Sequence, residues 1–126
     1  MYSHNTVGAN DLAKARAFYD ATFAAIGGKE GITDAKGRVL YMHNGGLFMV
    51  TTPINGEPAN PANGNTIGIA MDSPEQVEAW HAAGVAAGGT SCEDPPGLRD
   101  MGATKLYLAY LRDPTGHKLC ALYRMA

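Results

Sequence analysis

Residues 65–77, Asn-Thr-Ile-Gly-Ile-Ala-Met-Asp-Ser-Pro-Glu-Gln-Val, decide the fold, because they restate in stronger form what residues 5–11, Asn-Thr-Val-Gly-Ala-Asn-Asp, state weakly. Each stretch is short and β-tolerant and runs into an acidic residue, Asp11 or Asp72. In the second copy Ser73 is a natural helix N-cap, Pro74 sits at the first helical position and Gln76 follows the serine by three, which together form a capping box before Val77, Trp80 and Val85. In the first copy Asn10 and Asp11 are the capping residues, and Leu12, Ala15, Phe18, Tyr19, Phe23 and Ile26 follow with helical spacing. Both helices are expected to stop at a Gly-Gly pair, Gly27-Gly28 and Gly88-Gly89. The two copies are offset by about 60 residues, and a unit of that kind is too small to bury its own apolar face, so the pair should pack together and enclose something between them.

Alternation follows each helix. Arg38–His43, the turn Asn44-Gly45-Gly46 and Leu47–Thr51 read as one β-hairpin. Lys105–Leu111, a type I turn at Asp113-Pro114-Thr115-Gly116 and Lys118–Tyr123 read as another. With one short strand after each Gly-Gly, each half becomes β-α-β-β-β. Residues 53–64 hold three prolines among turn residues and mark a linker. The expected fold is therefore α+β in a single domain: module 1 spans about 1–52, the linker 53–64 and module 2 about 65–126, with the curved sheets facing a concave cavity.

Composition narrows the function. At 126 residues and 45% apolar the chain suits one domain with a real core. A net charge of −2, with its ten basic residues scattered, argues against nucleic acid and against an anionic membrane as partners. No stretch approaches the roughly 20 apolar residues of a membrane span and the N-terminus has no signal-like run, so a cytoplasmic protein is expected. Cys92 and Cys120 are in no CxxC spacing and read as reduced thiols. The glycine pairs end helices rather than precede them, so no phosphate cradle is present.

The doubled order, the Asp-Pro-x-Gly turn before the last strand and the histidine of the first strand, His4, together resemble the vicinal oxygen chelate superfamily, which includes glyoxalase I, extradiol dioxygenases, fosfomycin-resistance enzymes and bleomycin-resistance proteins. The resemblance covers the whole chain, and Gly64–Gly89 and Tyr110–Leu122 look most like the small bacterial glyoxalase-like branch. In metal-dependent members each half supplies one ligand from its first strand and one from its last. Carried over singly, those positions are His4 in the first strand, Thr66 in the fifth, Cys120 at the fourth residue after Gly116, and Met49 by the same count from Gly45. Lewis-acid metals want three imidazole or carboxylate ligands, and only His4 qualifies. Glu30, near a possible short strand, is the one carboxylate placed to substitute.

The resulting cavity candidates are His4, Tyr41, Met49, Thr66, Arg99, Tyr107 and Cys120. Tyr107 and Tyr110 should point to opposite faces of one strand, and Tyr107 is preferred because it matches Tyr41 in the repeat. Arg99, in the long loop Glu93–Gly102, either clamps a ligand from above or pairs with Asp94 or Asp100. Cys120 is either a nucleophile or an inert buried thiol. His117, beside the turn glycine, reads as solvent-facing.

Three functions stay open. The lost ligand positions favour a protein that binds a small organic molecule with no cofactor. A glyoxalase-type lyase or dioxygenase holding a divalent metal at His4 is the alternative, and a partner-binding domain without chemistry is the third. Open sheet edges in so small a chain, together with the resemblance, imply a homodimer.

Overall fold

Two sheets, one from each half, form the computed structural model, which describes residues 1–125. The chain runs β1 (Asn5–Gly8), α1 (Leu12–Ala24), β2 (Ile32–Thr33), β3 (Val39–His43), β4 (Gly46–Thr51), β5 (Ile67–Ala70), α2 (Pro74–Ala86), β6 (Thr90–Ser91), β7 (Gly97–Asp100), β8 (Lys105–Arg112) and β9 (Lys118–Arg124). The first sheet has the order β1-β4-β3-β2 and the second β5-β9-β8-β6, with β7 also on β8. In both sheets the strand before the helix runs parallel to the last strand, as the repeat requires.

The caps act as expected. Asp11 accepts from the Lys14 amide at 3.0 Å, and Ser73 accepts from the Gln76 amide at 3.1 Å while the Gln76 side chain turns back to the Asp72 amide at 2.8 Å. Asn10, read as a cap, has another task. Its side chain donates to the Ala59 carbonyl at 3.1 Å and accepts from the Ala59 amide at 2.7 Å, tying the linker to the first module.

Each helix covers one face of its sheet. Tyr19 packs on Phe48 and Phe23 on Tyr41, both with ring centroids 4.8 Å apart, and Val77 and Trp80 of α2 are buried with Ala109, Leu111, Leu119 and Ala121. The opposite face of each sheet, here called the inner face, is set by strand alternation and by the pairing register.

Two hydrogen bonds, one buried and one part-buried, join the halves. The Tyr19 hydroxyl donates to Asp113 Oδ2 at 2.6 Å, and His117 Nε2 lies 2.8 Å from the Gly8 carbonyl. His117 is therefore buried rather than solvent-facing: the turn glycine beside it directs its ring onto a strand more than a hundred residues away. The second module also departs from a simple β-α-β-β-β order. Part of the loop expected over the opening is strand β7, laid antiparallel along β8 from Gly97↔Leu108 to Asp100↔Lys105.

Candidate functional site

The register assigns a face to every candidate. On the first sheet Thr6, Met49 and Leu40 share a row, Leu47 pairs with Met42, and all belong to the inner face. On the second, Gly68, Cys120 and Tyr110 form one row and Ala70, Leu122 and Leu108 the next. Met49 and Cys120 thus occupy equivalent rows of the two modules, both buried.

Two candidates lie elsewhere. The Tyr107 hydroxyl donates to Glu78 on α2 at 2.7 Å, so Tyr107 faces the helix and Tyr110 takes the inner position, the reverse of the repeat-based expectation. Tyr41 also faces its helix, donating to Asp20 Oδ1 at 2.7 Å; burial first, and that carboxylate second, keep its hydroxyl protonated far above the ordinary tyrosine range. Tyr41 still borders a cavity of about 430 Å³, but this lies at the seam between β3, β4 and β5, with Phe23, His43, Phe48, Ile67 and Asp72. The signal for Tyr110 is present in the sequence: the tight Asp113–Gly116 turn sets Arg112 against Lys118, which puts Tyr110 opposite Cys120.

His4 stands one residue before β1, exposed, with its Nδ1 2.8 Å from Ser3 Oγ. Thr66 stands one residue before β5, exposed, lining a groove of about 530 Å³ with Tyr2, Thr6 and His117. Among the described residues no three His, Cys, Asp or Glu side chains come together as a metal site would need. The donor set His4, Met49, Thr66 and Cys120 does not fit a Lewis-acid metal, because a thioether and a hydroxyl are weak ligands and the set lacks the three imidazole or carboxylate groups such an ion takes. Glu30 is exposed.

Cys120 donates to the Ala121 carbonyl across 3.6 Å, and burial pushes its thiol above the ordinary range against a smaller opposing pull from the Tyr110 hydroxyl. A thiol so placed is a poor nucleophile at neutral pH. In the native protein at pH 7.5, iodoacetamide is expected to modify Cys92 first and Cys120 slower by about tenfold or more. Peptide mass spectrometry of a time course checks this, and faster labelling of Cys120 would restore the nucleophile reading.

Arg99 lies on β7 opposite Leu106 and therefore on the inner face. Its guanidinium donates to the Gly97 carbonyl at 3.1 Å and the Asp94 carbonyl at 3.0 Å, not to the Asp94 or Asp100 carboxylates. Lys118 sits 5.0 Å over the Tyr110 ring and makes an ion pair with Glu93.

A sequence model of the Glyoxalase/Bleomycin resistance protein/Dioxygenase superfamily matches residues 2–121. The chain belongs to that superfamily. A glyoxalase/bleomycin resistance protein from Albidiferax ferrireducens T118 is similar at 54% identity, with a TM-score of 0.94, over 98% of this chain and 99% of that one. The fosfomycin resistance protein FosX from Listeria monocytogenes, solved with Mn(II) and sulfate, shares the fold at 19% identity and a TM-score of 0.71, over 99% of this chain and 90% of that one. FosX from Mesorhizobium loti does so at 14% identity and 0.69, over 98% and 91%. No curated protein matches the sequence. Among the described residues no helix is long and apolar enough to cross a membrane.

Proposed function

We propose that this superfamily member binds a small organic molecule on the inner faces of its modules, without the divalent metal that the family resemblance implies. One observation carries the reading: of the four positions that the family resemblance assigns to metal ligands, this chain has a side chain of suitable kind only at His4, with Met49, Thr66 and Cys120 at the others. The inner faces offer what a ligand pocket needs, apolar walls with a few polar groups. Met49, Leu40, Leu47 and Met42 supply the first sheet's wall; Tyr110, Arg99 and Lys118 supply polar groups on the second.

The working form in this reading is a homodimer. Among the described residues β1 pairs only with β4 and β5 only with β9, which leaves an edge free on each of these strands, and Ile32 on β2 and Met42 on the inner face of the first sheet stand largely exposed.

Native mass spectrometry of gently purified protein, without added metal or chelator, tests both parts. A metal-free dimer, with or without an extra organic mass, is the expected result. A dimer holding about one divalent ion per chain would replace this reading with the metal-dependent lyase or dioxygenase using His4. A monomer that saturates with no small molecule but captures another protein would favour a partner-binding domain.

A further inference from the structure

The inner face of the second sheet is charged in a way the whole chain is not. Its inward positions on β7, β8 and β9 include Arg99, Arg112, Lys118 and Arg124, four of the ten basic residues, and none of the twelve acidic ones. Arg112 pairs with Lys118 at one end of the face; Arg124 pairs with Leu106, as Arg99 does from the other side, at the other end. Between them run Tyr110, Cys120, Leu108 and Leu122.

The two ends differ in how their charge is met. At the first end Lys118 is paired with Glu93, and Arg112 donates to the Gly116 carbonyl at 2.9 Å. At the second end Arg99 is held by two main-chain carbonyls, which fix the guanidinium without neutralising it, and among the described residues neither Arg99 nor Arg124 has a carboxylate in ion-pair range. A cation immobilised by neutral acceptors is pre-organised for an outside anion, since little side-chain freedom is left to lose on binding. Leu106, Leu108 and Leu122 share its face of the sheet. At the β5 edge of the face there is room: a methyl group built on Gly68, the neighbour of Cys120, would meet nothing within 4 Å.

We propose that this face takes a small organic anion with an apolar body, the body lying over Tyr110, Leu108 and Leu122 and the charged group held by Arg99 and Arg124. The assignment rests on the small-molecule reading above and adds the sign of the ligand's charge and the end of the sheet that receives it. It also turns the charge balance to account: a chain of net charge −2 repels anions at long range, and a local cluster of uncompensated arginines overcomes that repulsion only at the face itself.

Two fluorescent probes with the same apolar body separate the claims: 8-anilinonaphthalene-1-sulfonate, an anion, and N-phenyl-1-naphthylamine, which is neutral. Each is titrated into the wild type, an Arg99→Gln/Arg124→Gln double variant and a Lys14→Gln control on the exposed side of α1. Loss of two charge-assisted contacts is expected to weaken the sulfonate by about a hundredfold and the neutral probe by less than about threefold. The control should leave both unchanged. If both probes bind and the double variant leaves the sulfonate unaffected, the arginine site is overturned while the small-molecule reading stands. Equal weakening of both probes, or weakening by the Lys14 control, would also overturn it, since the arginines would then act through structure or general charge. If neither probe binds the wild type, both readings fall.

Discussion

Asp113→Ala is expected to destabilise the protein by about 3–5 kcal/mol, because a single buried carboxylate closes the second hairpin and fastens it to the first helix. Its Oδ1 accepts from the amides of Thr115, Gly116 and His117, each at 2.9 Å, and its Oδ2 accepts from Tyr19 at 2.6 Å. Alanine would leave the Tyr19 hydroxyl buried without its partner and release the turn that presents His117 to Gly8. Tyr19→Phe removes only the link to the helix and should cost about 1.5–3 kcal/mol. Urea denaturation of the two variants gives the order directly, and a Tyr19→Phe loss as large as that of Asp113→Ala would mean that the turn bonds contribute little. The link also carries a pH signature. Burial first, then the Asp113 charge, raises the Tyr19 pKa well above its ordinary value of 10.0. Stability from this group is therefore complete below pH 10 and falls as pH rises beyond it, where only the unfolded chain ionises.

What was legible in the sequence follows from which interactions are local. The helices begin at Asp11 and Ser73 and both hairpins form because caps and turns are written in a few adjacent residues. The family resemblance, resting on the doubled order and the Asp-Pro-x-Gly turn, was legible for the same reason. Strand β7 was not: Pro95 and Pro96 before it, Gly97 at its start and Gly102 after it spell a loop, and only the free edge of β8 makes Gly97–Asp100 extended. Sequence repeat does not give spatial equivalence for the tyrosines. Tyr41 and Tyr107 look alike in the repeat, but the register makes Leu111 the counterpart of Tyr41, and both tyrosines face helices, where Asp20 and Glu78 take their hydroxyls. Arg99 was visible as a candidate, yet its partners are carbonyls set by the backbone path, which composition does not show. Arg124 comes onto the face that Arg99 shares only through its pairing with Leu106.

Gly89→Ala is expected to cost about 3 kcal/mol, more than Gly88→Ala at about 1 kcal/mol, although both glycines end the same helix. Gly88 is needed for its backbone: it sits at φ +103°, with open space where a side chain would go. Gly89 is needed for its size. A Cβ there would lie 2.4 Å from Phe18 Cε1, 2.9 Å from the Gly84 carbonyl oxygen and 3.1 Å from the Arg112 carbonyl oxygen. Phe18 is fully buried, and the two oxygens belong to α2 and β8, so relief would require moving α1 or the sheet. The first module repeats the device. Gly27 sits at φ +82° with open space, whereas a Cβ on Gly28 would lie 2.9 Å from the Phe23 carbonyl oxygen and 3.2 Å from His43 Nδ1. In each Gly-Gly pair, then, the first residue turns the chain out of the helix and the second lets the next segment pass close against it. Urea midpoints for the four alanine variants should rank Gly89 below Gly88 and Gly28 below Gly27. If Gly88→Ala proved as damaging as Gly89→Ala, backbone conformation rather than close packing would govern both positions.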